Sequence, residues 1–313
     1  MRVLVSGGAG FIGIHCVRLL VDAGHEVLVV DDLRHACGEP LPAPAGLIPF
    51  ELTSGESRGE ITRFQPQAAV HLAAQGGVSR SLRDPAGDAQ ANVVVTAWLL
   101  RTCVDVGVEH LVFASSGGAV YGDAQRRPTS ERHLARPLSP YGAAKLAGEV
   151  YLGMFQRSHG LRSCALRFGN VYGPYQDGTG EAGVVAITSR RLLEGQPPLV
   201  RGDGLQTRDF VFVKDVASAV LAAAERRADG VINIASGRAT EVREVVGELV
   251  QQSGRNIKVE HQPARPGEVR SVQLDVGLAA RRLGWSAQTP LDQGLKLTYE
   301  SFRGRPAAAV MGA

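Results

Sequence analysis

Tyr141 and Lys145 are the two side chains whose types and spacing best suit acid–base chemistry. They stand four residues apart within Pro140 to Ser158, a segment predicted to be a helix with proline in its first turn, so both lie on one helix face. A tyrosine hydroxyl has a pKa of about 10, and a base that works near neutrality needs this pKa lowered by roughly three units, or about 4 kcal/mol. A neighbouring ammonium supplies part of that stabilisation. The pair predicts a tyrosine base assisted by a lysine, against the alternative of two unrelated side chains on an exposed helix.

A glycine-rich turn near the start of the chain is the second candidate. Arg2 to Ser6 reads as a buried strand, Phe11 to Val21 as a helix and Glu26 to Val30 as a second strand. The turn between the first strand and the helix contains Gly7, Gly8 and Gly10, and Gly13 follows within the helix. Such glycines let the backbone approach a pyrophosphate, whose charge the helix N-terminus attracts. The unit predicts a dinucleotide site, and the alternative is a glycine turn with no ligand.

An acidic residue ends the second strand and bears on which dinucleotide is bound. Asp31 is placed to accept hydrogen bonds from the adenosine ribose, and its charge repels a 2′-phosphate. Arg34 follows closely and weakens that preference. The residues therefore favour NAD over NADP.

Strands and helices alternate through the first half of the chain. This alternation predicts an α/β fold with a Rossmann-like, doubly wound parallel sheet whose ligands bind at the carboxyl ends of its strands. Ser115, Ser116 and Gly117 come at such an end. The further predicted strands are 47–52, 68–72, 110–114 and 162–167, and the helices are 55–64, 88–106 and 140–158, with Val93, Ala97, Leu100 and Val104 on one face of 88–106.

The alternation loosens after residue 169. We expect residues 1–169, with a return segment near 208–235, to form the NAD-binding domain, and 170–207 with 236–305 to form a smaller C-terminal α/β substrate-binding lobe. The predicted helices here are 184–194, 215–226, 240–253 and 291–302, and the strands are 198–200 and 207–213 around a G-D-G turn, 231–234, and one near Lys258.

Composition narrows the class of protein. The chain has 313 residues, 44% hydrophobic and 21% charged, with a net charge of +3, so charge alone suggests neither nucleic acid nor a membrane as partner. The four cysteines form no C-x-x-C pair, which favours reduced thiols in a cytoplasmic protein, and the sequence predicts no metal site. A first strand at residue 2 leaves no room for a signal peptide, and no apolar run reaches membrane-spanning length.

Several stretches together carry a family resemblance. They are G-G-A-G-F-I-G at 7–13, Asp31, H-L-A-A at 71–74, Asn92, S-S-G-G-A-V-Y-G at 115–122, S-P-Y-G-A-A-K at 139–145, L-R-F-G-N-V-Y-G-P at 166–174 and R-D-F-V-F-V-K-D-V at 208–216. They resemble the extended short-chain dehydrogenase/reductase family, and within it the NAD-dependent sugar-nucleotide epimerases of the UDP-glucose 4-epimerase group. The similarity extends from residue 2 to about 300.

The resemblance implies 4-epimerisation of a UDP-sugar through a transient 4-keto intermediate, with Tyr141 as base and Lys145 lowering its pKa. Ser116 is the third implied catalytic residue. The implied NAD-binding residues are Gly7, Gly10, Phe11, Ile12, Gly13, Asp31, Asp32, Glu51, Leu52, Leu72, Ala73, Ala74, Asn92, Ser115, Tyr141, Lys145 and Phe168. The implied substrate-binding residues are Ser116, Gly117, Tyr141, Asn170, Val184, Val185, Arg208, Arg265 and Glu268.

The chain departs from the family pattern at Gly117, where many members carry a hydroxyl. Ser116 or Ser115 must then bind the substrate hydroxyl, and we favour Ser116. Gly118 and Ala119 stand where related sugar-nucleotide lyases carry carboxyl groups, which argues against dehydration and decarboxylation. Val272 stands where a bulky tyrosine excludes N-acetyl sugars, so UDP-GlcNAc and UDP-GalNAc join UDP-glucose and UDP-galactose as candidate substrates.

Two other functions and one assembly stay open at this point. The chain could be another NAD-dependent sugar-nucleotide enzyme, such as a UDP-glucuronate epimerase or decarboxylase or a dTDP-sugar oxidoreductase, or an NAD-binding module without catalysis. The resemblance also implies a homodimer through the helices at 88–106 and 140–158, whose apolar positions could instead face the core.

Overall fold

The computed structural model describes residues 1–179, 183–264 and 269–303, and a parallel sheet of seven strands lies at its centre. The strands of the described residues are β1 (Arg2–Ser6), β2 (Glu26–Val30), β3 (Gly46–Ile48), β4 (Ala68–His71), β5 (His110–Ser116), β6 (Arg162–Phe168), β7 (Asn170–Tyr172), β8 (Leu199–Arg201), β9 (Thr207–Arg208), β10 (Phe210–Phe212), β11 (Gly230–Ile234), β12 (Thr240–Glu241) and β13 (Glu260–Gln262).

Helices follow most of these strands. They are α1 (Phe11–Asp22), α2 (Gly55–Phe64), α3 (Val78–Arg83), α4 (Pro85–Ala89), a π-helical turn (Gln90–Val94), α5 (Val95–Asp105), α6 (Gly117–Val120), α7 (Pro140–His159), α8 (Val184–Leu193), α9 (Val213–Glu225), α10 (Val242–Ser253), α11 (Gly277–Leu283) and α12 (Leu291–Arg303).

The central sheet has the order β11-β6-β5-β4-β1-β2-β3, and all its pairs are parallel. Chain order reverses direction at β1, which has β2 on one side and β4 on the other. Ligands of such sheets bind in the crevice that opens at this reversal. The predicted α/β fold with a doubly wound sheet is confirmed.

Two apolar layers cover the sheet. Val5, Val112 and Leu166 belong to the cluster that includes side chains of α1 and α9, whereas Leu111, Phe113 and Ala165 belong to the cluster that includes side chains of α5 and α7. Alternate residues of one strand therefore face opposite layers, as a pleated strand requires. A third cluster joins β7, β10, α8, α10 and α12.

Helix α7 has clear signals at both ends. The Ser139 side chain accepts a hydrogen bond from the backbone N–H of Gly142 at 3.1 Å, and Pro140 occupies the first turn. Gly160 ends the helix with φ +72°. These caps fix which residues of α7 face the sheet.

The helix predicted over 88–106 is confirmed, since the chain is helical without interruption from Pro85 to Asp105, but it contains a π-helical turn that was not predicted. The π-helical turn at Gln90–Val94 separates α4 from α5. Such a turn inserts an extra residue and rotates the helix that follows. The face predicted from Val93, Ala97, Leu100 and Val104 therefore contributes only Leu100 to the buried residues, and the buried set is Asn92, Thr96, Leu99, Leu100, Thr102 and Cys103.

Other differences concern short elements. The third strand lies at Gly46–Ile48 and not at 47–52, because Pro49 has no N–H with which to continue the ladder on β2. The strands β8 and β9 do not pair across the G-D-G turn, since β8 pairs with β13 and β9 with β12. Helix α11 was not predicted. Among the described residues, no helix combines the length and apolarity needed to span a bilayer.

Two glycines of α7 give a matched test of the packing between α7 and the sheet. A Cβ at Gly148 would lie 2.6 Å from Cζ of the buried Phe113 ring, whereas one at Gly153 would meet only the Arg157 guanidinium at 3.3 Å. We expect Gly148→Ala to lower the free energy of unfolding by about 1–3 kcal/mol through overpacking. Gly153→Ala should raise it by up to about 1 kcal/mol through helix propensity. Urea denaturation of both variants measures these changes, and equal effects would contradict the packing described.

Candidate active site

The carboxyl ends of β1, β4, β5 and β6 meet the first turns of α7 at one edge of the sheet. Tyr141 lies in the first turn of α7 and Lys145 one turn later, as predicted. Lys145 is buried, with its Nζ 5.0 Å from the centroid of the Phe113 ring and 5.8 Å from that of the Tyr141 ring. The ammonium therefore faces two aromatic rings, which attract cations.

The local environment acts on both titratable groups. Loss of solvent, followed by the negative charge of Asp88, raises the pKa of Tyr141 to about 12, and an interaction with Ser116 acts in the opposite direction. Loss of solvent lowers the pKa of Lys145 to about 8, and Asp88 opposes that shift. In the protein alone, desolvation of the hydroxyl dominates the pKa of Tyr141, and the lowering predicted from Lys145 and a bound nicotinamide ring stays a prediction.

The two serines at the end of β5 have different surroundings. Ser115 is buried and its hydroxyl donates to Oε1 of Glu149 at 2.5 Å, so its side chain faces α7. The cofactor contact predicted for Ser115 stays a prediction, and its hydroxyl is already engaged by Glu149. Ser116 is half-buried, and its Oγ lies 4.0 Å from the position of a Cβ on Gly118. Of the two hydroxyls, that of Ser116 lies beside Tyr141.

A buried ion pair supports this arrangement. Arg167 of β6 donates to Glu149 from Nε at 2.9 Å and from Nη2 at 2.6 Å, and both side chains are only 6% exposed. The guanidinium also lies 4.7 Å from the centroid of the Tyr121 ring. Sequence reasoning missed Glu149, although it continues the spacing of four that links Tyr141 and Lys145.

Asn92 holds the loop that follows β4. Its Oδ1 accepts from the N–H of Gln75 at 2.9 Å, and its Nδ2 donates to the carbonyl of Gln75 at 3.1 Å and to Oδ1 of Asp88 at 3.0 Å. The predicted role of Asn92 in binding the cofactor stays a prediction, and these contacts show that its amide holds the loop at Gln75 and the carboxylate of Asp88. Leu72 and Ala73 donate through their N–H groups to the carbonyl of Ser6, and Ala74 follows them at the edge of the crevice.

The glycine turn fits a pyrophosphate. Gly7 has φ +73°, and a Cβ there would lie 2.6 Å from the N of Ala73. A Cβ on Gly13 would lie 2.1 Å from the carbonyl oxygen of Gly7, so this close crossing requires glycine. Gly10 caps α1 with no side-chain hydrogen bond, which leaves the first N–H groups of α1, those of Phe11 and Ile12 among them, for an anion.

Asp31 stands at the end of β2, beside this turn. Its Oδ2 accepts from the N–H of Ala9 and its Oδ1 from that of Leu33, each at 2.9 Å. Burial raises its pKa, and these backbone donors oppose the shift. The turn and the carboxylate together fit the pyrophosphate and ribose of a dinucleotide.

The other predicted acids at this end bind a neighbouring cation. Arg34 donates to Oδ2 of Asp32 at 2.7 Å and also pairs with Glu51. Leu52 is buried in the core, and Phe168 is buried at the end of β6. Both side chains pack within the two apolar layers that cover the sheet. Asp32 and Glu51 compensate the charge of Arg34, the residue that weakens the sequence-based preference for NAD over NADP.

The predicted substrate residues are only partly brought together. Asn170 of β7 has its Oδ1 3.5 Å from the position of a Cβ on Gly118, which places its amide near Ser116. Arg208 is half-buried and donates to the carbonyl of Thr207 at 2.8 Å. Val184 is half-buried at the start of α8, whereas the side chain of Val185 packs in the third apolar cluster, and the substrate contacts predicted for both stay predictions. Arg265 and Glu268 lie outside the described residues.

Gly117 is closely covered. A Cβ at this position would lie 2.5 Å from Cδ1 of Leu274, so the packing leaves no space for a side chain. Val272, which we expected beside the sugar, is also buried in the cluster around Leu274. No group of His, Cys, Asp and Glu within the described parts of the chain could hold a metal ion.

His71 completes a buried chain of hydrogen bonds at the crevice. Thr96 donates its hydroxyl to the carbonyl of Asn92 at 2.6 Å, so it must accept from Nε2 of His71 at 3.0 Å. Nδ1 of His71 then accepts from the Ser6 hydroxyl at 2.7 Å. Burial, followed by the charge of Lys145, lowers the pKa of His71 to about 3. The imidazole is therefore neutral and links β1, β4 and α5.

Comparison with known proteins agrees with this geometry. The model of the NAD dependent epimerase/dehydratase family matches residues 3–235. A UDP-glucose 4-epimerase of Mycolicibacterium smegmatis is 41% identical over 311 residues, which cover 97% of this chain and 99% of that protein. The crystal structure of a Thermotoga maritima UDP-glucose 4-epimerase with UDP-glucose has a TM-score of 0.92 at 42% identity, and it covers 97% of this chain and 99% of that one. The Thermus thermophilus UDP-glucose 4-epimerase in complex with NAD has a TM-score of 0.92 at 39% identity, with the same coverage.

Acidification should destabilise the protein through His71. Its pKa is about 3 in the folded protein against 6.5 for an ordinary histidine, so below pH 6.5 the unfolded chain binds a proton that the folded chain does not. The stability contributed by the neutral imidazole is present above this pH and is lost as the pH falls, by up to about 1.4 kcal/mol per pH unit. The free energies of unfolding of the wild type and His71→Gln should therefore converge between pH 7 and pH 5. A constant difference would contradict the buried neutral imidazole.

Proposed function

The chain belongs to the NAD-dependent epimerase/dehydratase family, and from this we propose that it inverts C4 of a UDP-sugar, interconverting UDP-glucose and UDP-galactose. The observation that carries the proposal is the position of Tyr141 beside Ser116 and Lys145 at the carboxyl edge of the sheet. Gly118 and Ala119, which follow Ser116, offer no carboxyl group for elimination or decarboxylation. These positions separate epimerisation from the lyase reactions of related enzymes.

The cofactor is NAD, which when bound takes a hydride from C4 of the sugar and later returns it to the opposite face of the ring. We assign its pyrophosphate to Gly7, Gly10, Gly13 and the start of α1, and its adenosine ribose to Asp31. The turn cannot accept larger side chains at Gly7 and Gly13 without displacing backbone atoms.

Tyr141 acts as the base and then as the acid. Its hydroxyl takes the proton of the sugar 4-hydroxyl and gives it back when C4 is rebuilt, so one residue serves both directions. The protein alone holds the pKa of this hydroxyl near 12, so the phenolate also needs the positive charges of Lys145 and of the nicotinamide ring. Ser116 donates a hydrogen bond to the oxygen at C4 as that oxygen gains charge, and Lys145 donates to the nicotinamide ribose.

The nucleotide lies on the side of β7 and β9. We assign contacts with the UDP portion to Asn170 and Arg208, and to Arg265 and Glu268. A guanidinium forms forked hydrogen bonds to a diphosphate, which supports Arg208 in this role. Gly117 offers backbone alone, and Val184 borders the site from the start of α8.

We propose a division of the chain into a cofactor-binding and a substrate-binding part. Residues 1–169 with a return segment near 208–235 form the NAD-binding part, and 170–207 with 236–305 the substrate-binding part. The third cluster, which includes Tyr172, Leu192 and Leu295, supports a separate core for the second part.

We also propose a homodimer formed through α5 and α7. On the outer surface, Val94 is 47% and Val150 62% exposed, and Tyr151 and Met154 continue the apolar surface on α7. An apolar face of this kind is typical of a surface covered in an oligomer. We place the enzyme in the cytoplasm, which the unbridged buried thiols of Cys16, Cys103 and Cys164 support.

Purified protein given UDP-galactose should form UDP-glucose without consuming added NAD or accumulating NADH. Tyr141→Phe should lower kcat by about 10²- to 10⁴-fold, because it removes the group that transfers the proton. Chromatography of the sugar nucleotides with absorbance at 340 nm measures both. Net formation of NADH would instead identify an oxidoreductase or a decarboxylase.

The same assay with a panel of UDP, dTDP and GDP sugars tests the substrate range. Val272 in place of a bulky tyrosine supports turnover of UDP-GlcNAc and UDP-GalNAc. Failure to turn over the acetylated pair would restrict the enzyme to UDP-glucose and UDP-galactose.

Ser116→Ala and Ser115→Ala form a matched pair that separates the two hydroxyls. We expect Ser116→Ala to lower kcat by about ten- to a hundred-fold, since one hydrogen bond to a charged oxygen contributes about 1.5–3 kcal/mol. Ser115→Ala should mainly lower the free energy of unfolding, by about 1–3 kcal/mol, because its partner is the buried Glu149. Kinetics and urea denaturation of both variants decide the assignment, and a larger kcat loss in Ser115→Ala would reverse it.

A further inference from the structure

Asp88 is a buried acid that neither the motifs nor the assigned mechanism uses. It lies in α4, one turn before Asn92, and is 0% exposed. Its Oδ1 accepts the hydrogen bond of Asn92 at 3.0 Å. Its Oδ2 is buried and has no hydrogen-bond partner among the described residues. A carboxylate oxygen in this condition is costly unless a positive charge nearby compensates it.

Lys145 is the complementary case. Its side chain is only 4% exposed, and within the described parts of the chain its ammonium contacts the rings of Phe113 and Tyr141 but makes no ion pair. A buried ammonium needs a counter-charge, and Asp88 is the acid whose field acts on it. The α4 helix and the π-helical turn both pack on α7, which brings the two buried charges into one cluster.

The same carboxylate fixes the direction of the Asn92 amide. Because Oδ1 of Asp88 accepts only from a donor, Nδ2 of Asn92 must point toward it. Oδ1 of Asn92 is thereby left to accept from the N–H of Gln75. Asp88 thus acts on the loop after β4 as well as on α7.

We propose that Asp88 is a positioning residue of this site, which balances the buried charge of Lys145 and, through Asn92, holds the loop at Gln75 against the crevice. The proposal rests on the proposed function for its link to catalysis. It assigns Asp88 no contact with substrate or cofactor.

The charge of Asp88 acts on Tyr141 and Lys145 in the same direction. It raises the pKa of each, because a nearby negative charge opposes a phenolate and favours an ammonium. The other titratable group beside this cluster is His71, which is neutral in the working range, and Asp84 acts on Asp88 itself. Removing the charge of Asp88 should therefore lower both pKa values.

Asp88→Asn is the informative substitution, and Asp84→Asn is its control. Asp84 is exposed, lies four residues earlier and caps α4 through a hydrogen bond from Gly87, a role that asparagine retains. In Asp88→Asn both limbs of the pH profile of kcat/KM should move to lower pH by about one unit. In Asp84→Asn both limbs should stay in place. A lower maximum with unmoved limbs in Asp88→Asn would show a structural role and overturn the proposal.

A second measurement needs only folded, NAD-loaded protein. Absorbance at 295 nm of the NAD-loaded protein, taken as the difference from the NAD-loaded Tyr141→Phe counterpart, follows ionisation of Tyr141, whose pKa the nicotinamide charge lowers. The midpoint should fall by about one unit in Asp88→Asn, and an unchanged midpoint would overturn the proposal. If Asp88→Asn does not fold, Asp88→Ser, which removes the same charge, takes its place in both measurements. Absence of epimerase activity in the wild type would contradict the proposed function, whereas the titration of Tyr141 would still test the role of Asp88.

Discussion

Removal of water from Tyr141 and Lys145 is the constraint on which the rest of the site depends. Burial raises the pKa of the hydroxyl to about 12 and lowers that of the ammonium to about 8, so both groups are pushed toward their neutral forms. A proton-transfer site needs the opposite at the tyrosine. Each charge near the pair therefore shifts the two pKa values more than it would in water, because charges interact more strongly in the low dielectric constant of a protein interior. The neutral imidazole of His71 adds no further positive charge to this cluster.

The position of α7 is fixed by one face of the helix. Tyr141, Lys145 and Glu149 succeed one another at intervals of four, so the face that carries the proton-transfer pair also carries the anchor to β5 and β6. Glu149 receives Ser115 and Arg167 in a buried, bidentate arrangement. Loss of Arg167 or Glu149 would leave an uncompensated buried charge, which is far more costly than loss of a surface pair. The anchor therefore holds the catalytic face in register with the strand ends.

The sequence alone predicted those features of the fold whose signals are local. The glycine turn, the proline that begins α7 and the ranges of β1, β2, β4, β5 and β6 are local signals, and each was predicted within a few residues. The π-helical turn between α4 and α5 was not, because Asn92, which lies in this turn, bonds the distant loop at Gln75. Ser115 could not be distinguished from Ser116 for a similar reason. Their roles depend on Glu149, which is far away along the chain.

Gly117 stands where many family members carry a hydroxyl, and the surrounding packing explains the glycine. Leu274, which comes from the C-terminal part of the chain, lies where a side chain at this position would project. The same leucine packs with Val120, Tyr121 and Val272, so the space is filled by apolar contact between distant segments. A side chain at position 117 would overlap Leu274, and overpacking of this kind costs about 1–3 kcal/mol. Glycine removes that cost, and the adjoining Ser116, which is half-buried beside Tyr141, keeps a hydroxyl where charge develops on the sugar oxygen.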